Sequence, residues 1–119
     1  MEWRHANVAG RSAVYGVAGS GPPVLFLHGW GMGAHAYKRP LKRLAGRGRR
    51  VYAPALPGFG GTADLPVAER TIAGYAAWLD AFLDTMDVNE PSLVIGHSFG
   101  GGVATLLAHD FPSRVSTIA

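Results

Sequence analysis

The feature that most constrains the fold of this chain is the stretch L-V-I-G-H-S-F-G-G-G at residues 93–102. A short apolar run ends at Gly96, Ser98 follows, and a segment typical of a buried helix comes next. A turn from strand to helix in so few residues forces Ser98 into strained backbone angles. Glycine at 96 and 100 removes side chains that would collide there. The serine hydroxyl would then stand clear of the sheet at a helix N-terminus, where developing negative charge is favoured.

The five residues Gly96-His97-Ser98-Phe99-Gly100 fit the pattern G-x-S-x-G, which places a nucleophilic serine on a sharp strand-to-helix turn. The alternative for such a turn is a phosphate-binding loop. That alternative is weakened because neither G-x-x-x-x-G-K-[ST] nor G-x-G-x-x-G is present around Ser98. The pattern therefore predicts Ser98 as a catalytic nucleophile on a nucleophile elbow.

Strands and helices alternate along the remainder of the chain. Residues 3–8 and 11–18, around Gly10, predict a hairpin, and a short helix with Pro40 in its first turn precedes a clearer one at 71–86. Further strands are predicted at Val24–Leu27, Val51–Ala55, Ser92–Ile95 and Val115–Ala119, and a further helix at 100–108. This order predicts an α/β fold: a mostly parallel sheet with helices on both faces and an N-terminal antiparallel hairpin. Such sheets bind ligands at the carboxyl ends of their strands.

The amino-acid composition limits the classes of protein to which the chain can belong. A chain of 119 residues with 48% hydrophobic and 16% charged residues is typical of one globular domain. No apolar run approaches the roughly 20 residues of a membrane span, and the first residues lack a signal peptide's apolar core. The absence of cysteine excludes disulfides and thiolate metal sites. These features favour a cytoplasmic location, without a membrane partner.

The charges fall into two groups. Seven of the eleven basic side chains lie in one segment: Lys38, Arg39, Lys42, Arg43, Arg47, Arg49 and Arg50. This cluster could bind an acidic partner or nucleic acid, or it could be the solvated face of a short helix. The second interpretation is favoured, and no nucleic-acid partner is expected, because no stacking aromatic residues accompany the charges. The acidic residues Asp80, Asp84, Asp87 and Glu90 fall largely off the apolar helix face and predict a solvated surface.

Two further motifs follow earlier predicted strands. Residues 24–31, V-L-F-L-H-G-W-G, place His28-Gly29 at the end of a buried strand, and residues 54–60 form P-A-L-P-G-F-G after the next strand. With G-x-S-x-G, these motifs resemble the α/β-hydrolase family. Ala55 stands where that family usually has Asp, from which a local cost in stability is expected.

The resemblance implies roles for the motif residues. The backbone N–H groups of Trp30 and Phe99 would form an oxyanion hole. His28 would hold the oxyanion loop as a structural residue, and His97 would point away from Ser98. Structural roles are also implied for Gly29, Gly96 and Gly100. Neither a metal nor another cofactor is implied.

The resemblance also implies an activity. Residues 28–32, H-G-W-G-M, and 56–60, L-P-G-F-G, are similar to carboxylesterases that cleave pimeloyl-carrier-protein methyl esters in biotin synthesis. The expected activity is hydrolysis of a carboxylic ester or related acyl substrate through an acyl-enzyme. The substrate would be a small molecule, free or linked to a carrier protein, and the basic cluster would suit an acidic carrier.

A serine nucleophile needs a base, and the base needs an orienting carboxylate. In α/β-hydrolases these follow the serine in the order Asp or Glu, then His. After Ser98 the candidates are His109 and Asp110, and His109 would lie about 16 Å away along the same helix. Residues 1–119 are therefore expected to be the N-terminal part of an incomplete α/β-hydrolase fold, without the triad acid and histidine, and inactive in isolation. The alternatives are a non-catalytic interaction module and a gene fragment.

An incomplete sheet has a further consequence. The strand before Ser98 is expected to lie nearly at the sheet edge, with a row of unpaired amides. Self-association through that exposed edge is therefore expected.

Overall fold

The structure, a computed structural model, describes residues 1–31 and 33–119. Met32, the last residue of the H-G-W-G-M motif, lies outside the described residues. The described chain contains one sheet of six strands: β1 (Glu2–Val8), β2 (Arg11–Ala18), β3 (Pro23–Leu27), β4 (Arg50–Pro54), β5 (Ser92–Gly96) and β6 (Val115–Ile118). Its α-helices are α1 (Lys38–Ala45), α2 (Ile72–Thr85) and α3 (Phe99–Asp110). Short 3-10 helices lie at Ala34–Tyr37, Val67–Glu69 and Pro112–Arg114.

The order of strands across the sheet is β1-β2-β4-β3-β5-β6. β1 pairs with β2 and β2 with β4 in antiparallel register, whereas β4, β3, β5 and β6 run parallel to one another. The predicted α/β class, with an N-terminal hairpin on a mostly parallel sheet, is confirmed.

The sheet separates two apolar cores. Every residue of β3 is buried, as expected for a strand covered on both faces. Because side chains alternate along a strand, Val24 and Phe26 pack with Leu41 of α1, whereas Leu25 and Leu27 pack on the opposite face. That face carries the larger core, which includes Leu79 and Phe82 of α2 and Val103 and Leu107 of α3.

Helix α2 begins where its sequence supplies a cap. The hydroxyl of Thr71 accepts a hydrogen bond from the Gly74 N–H at 3.0 Å, which satisfies one of the free donors of the first turn. The helix then buries one face, as its spacing predicts. No helix in the described ranges is both long enough and apolar enough to span a membrane.

The structure corrects the expectation that β5 carries unpaired amides. β5 is paired on both sides, with β3 and with β6, and β6 lies at the edge. The few residues of β6 suffice for this pairing, although the register is irregular between Ser92 and Leu93. Ser116, Thr117 and Ile118 on β6 are exposed.

The acidic residues at and after the end of α2 form a largely solvated surface, as predicted: Asp84, Asp87 and Glu90 are exposed, and Asp80 is half-buried. No pattern in the sequence indicated, however, that Asp80 and Asp84 both accept hydrogen bonds from Arg114. The Arg114 guanidinium also donates to the carbonyl oxygens of Val88, at 2.7 Å, and Asp80, at 3.2 Å. Its side chain is 13% exposed. Arg114 therefore ties the segment before β6 to the end of α2.

We expect Arg114→Ala to lower the free energy of unfolding by about 2 kcal/mol, because the carbonyl oxygens and the Asp80 carboxylate lose a charged donor. Urea unfolding followed by circular dichroism measures this change. Arg70→Ala is the control, since Arg70 is about half exposed, pairs with Asp64 at 3.4 Å and donates to one carbonyl, that of Leu65, at 2.9 Å; its loss should cost less, about 1 kcal/mol. Equal losses in the two variants would contradict the role of Arg114.

Candidate functional site

Ser98 occupies the turn between β5 and α3. Its backbone angles are φ 55° and ψ −113°, and it is the N-cap residue of α3. A non-glycine residue at positive φ is uncommon, and this ψ lies outside the left-handed helical region as well. The side chain is exposed and makes no capping bond to α3. The backbone strain expected at Ser98 is present, and the residue is exposed at the start of α3.

Two glycines permit this turn. A Cβ on Gly96 would lie 2.5 Å from the carbonyl oxygen of Gly100, and a Cβ on Gly100 would overlap the carbonyl oxygen of Leu27. The predicted collisions are therefore real, but they occur with backbone atoms rather than with side chains. The start of α3 thus packs directly on the carboxyl end of β3.

The end of β3 also holds the residue before Ser98. Leu27 pairs with Gly96, and the Leu27 carbonyl accepts a hydrogen bond from the His97 N–H at 3.0 Å. The loops after β3 and β5 consequently lie side by side at the carboxyl ends of two neighbouring parallel strands. This is the edge of an open α/β sheet at which ligands bind.

His28 connects the loop after β3 to the loop after β4. It is fully buried, its Nδ1–H donates to the Gly29 carbonyl at 2.8 Å, and its Nε2 accepts from the Leu56 N–H at 2.9 Å. Because a backbone N–H only donates, the Leu56 bond requires an unprotonated Nε2, and the ring is neutral. Burial lowers the pKa of His28, which the bond to the Gly29 carbonyl partly opposes. The ring thus has the environment of a structural histidine rather than that of a base facing Ser98.

Aromatic side chains surround the outer side of the elbow. The indole of Trp30, 64% exposed, packs edge-on against Phe59 at 4.8 Å and Phe99 at 5.0 Å between ring centroids. Phe99 also contacts Tyr75 of α2, at 5.2 Å. The two residues predicted to supply oxyanion donors are therefore neighbours. In the described ranges no carbonyl accepts the Trp30 N–H, and the Phe99 N–H lies in the first turn of α3, where helical N–H groups lack intrahelical partners.

Sequence reasoning missed Tyr37. Its hydroxyl lies 2.6 Å from His97 Nδ1 and accepts a hydrogen bond from the Gly29 N–H at 3.3 Å. His97 therefore faces Tyr37, on the neighbouring loop, through this ring nitrogen. No motif marks Tyr37, which is simply an aromatic residue ahead of the short helix α1.

The structure does not bring His109 and Asp110 to Ser98. Instead, His109 Nδ1 lies within hydrogen-bond distance of Asp110 Oδ1, at 2.8 Å, in the last turn of α3, the end opposite Ser98. Among residues 1–31 and 33–119, no three histidine, aspartate or glutamate side chains are grouped to hold a metal ion.

The family follows from comparison with known proteins. A family model described as the alpha/beta hydrolase fold matches residues 22–119. The chain belongs to the alpha/beta hydrolase family. The resemblance of its three motifs to that family is confirmed.

Relatives and solved structures agree with this assignment. A pimeloyl-[acyl-carrier protein] methyl ester esterase of Aromatoleum aromaticum is 38% identical over 97 residues, which cover 82% of this chain and 35% of that protein. A haloalkane dehalogenase of Psychrobacter cryohalolentis is 33% identical, over 82% of this chain and 32% of that protein. An epoxide hydrolase structure from Vigna radiata superposes with a TM-score of 0.91 at 29% identity, over 98% of this chain and 37% of that one. The alpha/beta hydrolase chain thus spans about a third of the length of the curated relatives it matches.

The requirement for glycine at position 96, before Ser98, can be tested by a matched pair of substitutions. Gly96→Ala should lower the free energy of unfolding by about 1–3 kcal/mol, because its Cβ would meet backbone that cannot move aside cheaply. Gly102→Ala places the same methyl group in α3 with nothing within 4 Å and should raise stability by about 0.5–1 kcal/mol. Urea unfolding of both variants separates the effect of a steric clash at position 96 from the effect that alanine has on the stability of any helix. A neutral Gly96→Ala would argue against the close approach of α3.

The buried His28 predicts a pH dependence of stability. Because its folded-state pKa lies below the ordinary value of about 6.5, the unfolded chain takes up a proton at a higher pH than the folded chain. This contribution to stability is present above pH 6.5 and is lost as the pH falls through that value toward the folded pKa. Urea unfolding at intervals between pH 7.5 and 5 should show a smaller decline in His28→Gln than in the wild type. His5→Gln controls for loss of a surface histidine, and identical slopes for wild type and His28→Gln would contradict the assignment.

Proposed function

We propose that residues 1–119 are the N-terminal part of a serine hydrolase that acts on a carboxylic ester or related acyl substrate. The observation that carries this proposal is the backbone of Ser98, strained at φ 55° with an exposed hydroxyl at the first turn of α3. Strain of this kind persists only where the surrounding structure enforces it, and it clusters at active sites. Gly96 and Gly100 enforce it here.

The proposed reaction uses groups at the carboxyl ends of β3 and β5. Ser98 Oγ attacks the acyl carbonyl and gives its proton to a base, and the backbone N–H groups of Trp30 and Phe99 hold the oxyanion. Collapse of the tetrahedral species expels the alcohol, which takes that proton, and leaves an ester on Ser98. Water then attacks this acyl-enzyme and releases the carboxylic acid and the free serine.

The base and its carboxylate are assigned to sequence outside residues 1–119. His109 and Asp110 face each other at the opposite end of α3 from Ser98, and His28 is buried with both ring nitrogens bonded. His97 is adjacent to Ser98, but its Nδ1 is engaged by Tyr37. The proposal therefore takes the activity to belong to the longer protein.

A serine at the elbow favours acyl over alkyl substrates. If Ser98 opened an epoxide or displaced a halide, the product would be a serine ether, which offers no carbonyl for water to attack. An acyl-enzyme does offer one, so turnover can be completed. A haloalkane dehalogenase and epoxide hydrolases are among the related proteins, but this chemistry favours an ester as the substrate, as in the name of the esterase relative.

The aromatic side chains around the site suggest that the substrate carries an apolar group. The rings of Trp30, Phe59 and Phe99 line its outer side and suit an apolar acyl or alkyl group. The relative from Aromatoleum aromaticum is named for an ester on an acyl-carrier protein. The proposed substrate is therefore a small acyl ester, free or linked to a carrier, and a cytoplasmic location accords with the lack of cysteine.

The proposal is tested with a fluorophosphonate ester and the folded 119-residue chain, with adducts located by mass spectrometry. A hydrolase that lacks its triad base still reacts about 10³–10⁴-fold faster than the uncatalysed reaction in water, because its oxyanion hole and its substrate binding remain. Ser98 should therefore be modified about 10³-fold faster than the exposed Ser113, and added imidazole should accelerate labelling at Ser98 by acting as a base. Ser98→Ala should abolish the adduct, and Ser113→Ala should leave it.

Labelling of Ser98 no faster than Ser113, with or without imidazole, would overturn the proposal. It would instead favour a non-catalytic, hydrolase-like interaction module. Circular dichroism of each variant ensures that folded chains are compared.

A further inference from the structure

Tyr37 lies where the two loops of the proposed oxyanion hole meet. It ends the 3-10 helix Ala34–Tyr37 and directly precedes α1. Its ring packs against Phe26 of β3, with 4.5 Å between centroids, and is half-buried. The ring is thus fixed against the sheet, and its hydroxyl reaches the loops above the strands.

The Tyr37 hydroxyl makes hydrogen bonds to two loops. The Gly29 N–H only donates, so the hydroxyl oxygen accepts that bond. The single hydroxyl proton is then free to be donated to His97 Nδ1, 2.6 Å away. In that arrangement Nδ1 accepts, and the proton of a neutral His97 lies on Nε2. One hydroxyl thus bonds both loops in this arrangement.

Each bonded residue stands next to a residue with a proposed catalytic role. Gly29 directly precedes Trp30, and His97 directly precedes Ser98 and lies two residues before Phe99. A Cβ on Gly29 would lie 3.2 Å from His97 Nδ1 and 3.5 Å from the Tyr37 hydroxyl, so the three groups are in close contact. The hydroxyl therefore joins the backbone that carries one oxyanion donor to the backbone that carries the other.

We propose that Tyr37 is a positioning residue that sets the spacing between the Trp30 and Phe99 N–H groups, through its hydroxyl bonds to Gly29 and His97. This inference rests on the proposed function. Strand pairing already fixes the elbow, because the Leu27 carbonyl holds the His97 N–H. Among the described residues 30, 31 and 33 that follow Gly29, no backbone hydrogen bond to a strand is found, and Gly31 and Gly33 are at positive φ with no atom within 4 Å of the position that a Cβ would take. The Tyr37 hydroxyl holds the start of this loop, at the Gly29 N–H, next to His97.

The requirement for such a bond follows from the chemistry of an oxyanion hole. Both donors must lie about 2.7–3.1 Å from the oxygen of the tetrahedral species. A displacement of about 1 Å in a reacting group can lower a rate roughly 100-fold. Tyr37 acts on the rate through Trp30 and Phe99 and does not itself touch the substrate.

The test uses Tyr37→Phe, which keeps the ring on Phe26 and removes only the hydroxyl. Tyr52→Phe is the matched control, because Tyr52 is a half-buried tyrosine on β4 outside the site. Nitrogen-15 spectra of the folded chain should show changed amide signals at Gly29 and Trp30 in Tyr37→Phe. The His97 Nδ1 signal should shift as well, because this nitrogen loses its hydrogen bond to the hydroxyl. Tyr52→Phe should show neither change.

The rate readout is fluorophosphonate labelling at Ser98 in the presence of imidazole. Tyr37→Phe should slow this labelling by about 10- to 100-fold with little change in the urea midpoint, whereas Tyr52→Phe should label at the wild-type rate. Changed spectra with an unchanged labelling rate would overturn the positioning role. Unchanged Gly29 and His97 signals would overturn it as well, even if the wild-type chain is not labelled. If the wild-type chain is not labelled but the Tyr37→Phe spectra change, the result would support the hydrogen bonds from Tyr37 to both loops and would count only against Ser98 as nucleophile.

Discussion

The close approach of α3 to the carboxyl end of β3 is the constraint on which the site depends. Gly100 packs against the Leu27 and His28 carbonyls at a distance that no side chain permits. Gly96 in turn faces the Gly100 carbonyl. Only with both glycines can the chain turn from β5 into α3 so sharply that Ser98 is held at positive φ. The position of the hydroxyl is therefore a consequence of backbone packing and needs no bond of its own.

The second element of the site is a set of polar contacts that connect three loops. His28 joins the loop after β3 to the loop after β4, and Tyr37 joins it to the loop after β5. Neither ring is free to act as a base at Ser98, because its polar atoms are used in these bonds. Both rings thus have an architectural role in the loops around Ser98.

Much of this arrangement could be predicted from local sequence. Strands, helices and the glycine frame of Ser98 follow from patterns within a few residues, and the family motifs assigned His28 its structural role. Contacts between distant segments could not be predicted in the same way. Arg114 and Tyr37 bind partners tens of residues away, and nothing near either residue in the sequence identifies those partners. The full pairing of β5 by β6 could not be predicted for a related reason, since a strand of four residues has little pattern of its own and gains its partners from the sheet.

The two cores on either side of the sheet are unequal, and this inequality has a consequence for motion. The face under α2 and α3 buries many large side chains, whereas the face under α1 relies on a few, with Leu41 the buried residue of that helix. α1 also begins without a side-chain cap and with Lys38 and Arg39 at the end where a helix disfavours positive charge. Because amide exchange follows the least costly opening, α1 should exchange with solvent well before α2 and α3. Ser98 would then keep its place at the start of α3 while the opposite face of the sheet opens.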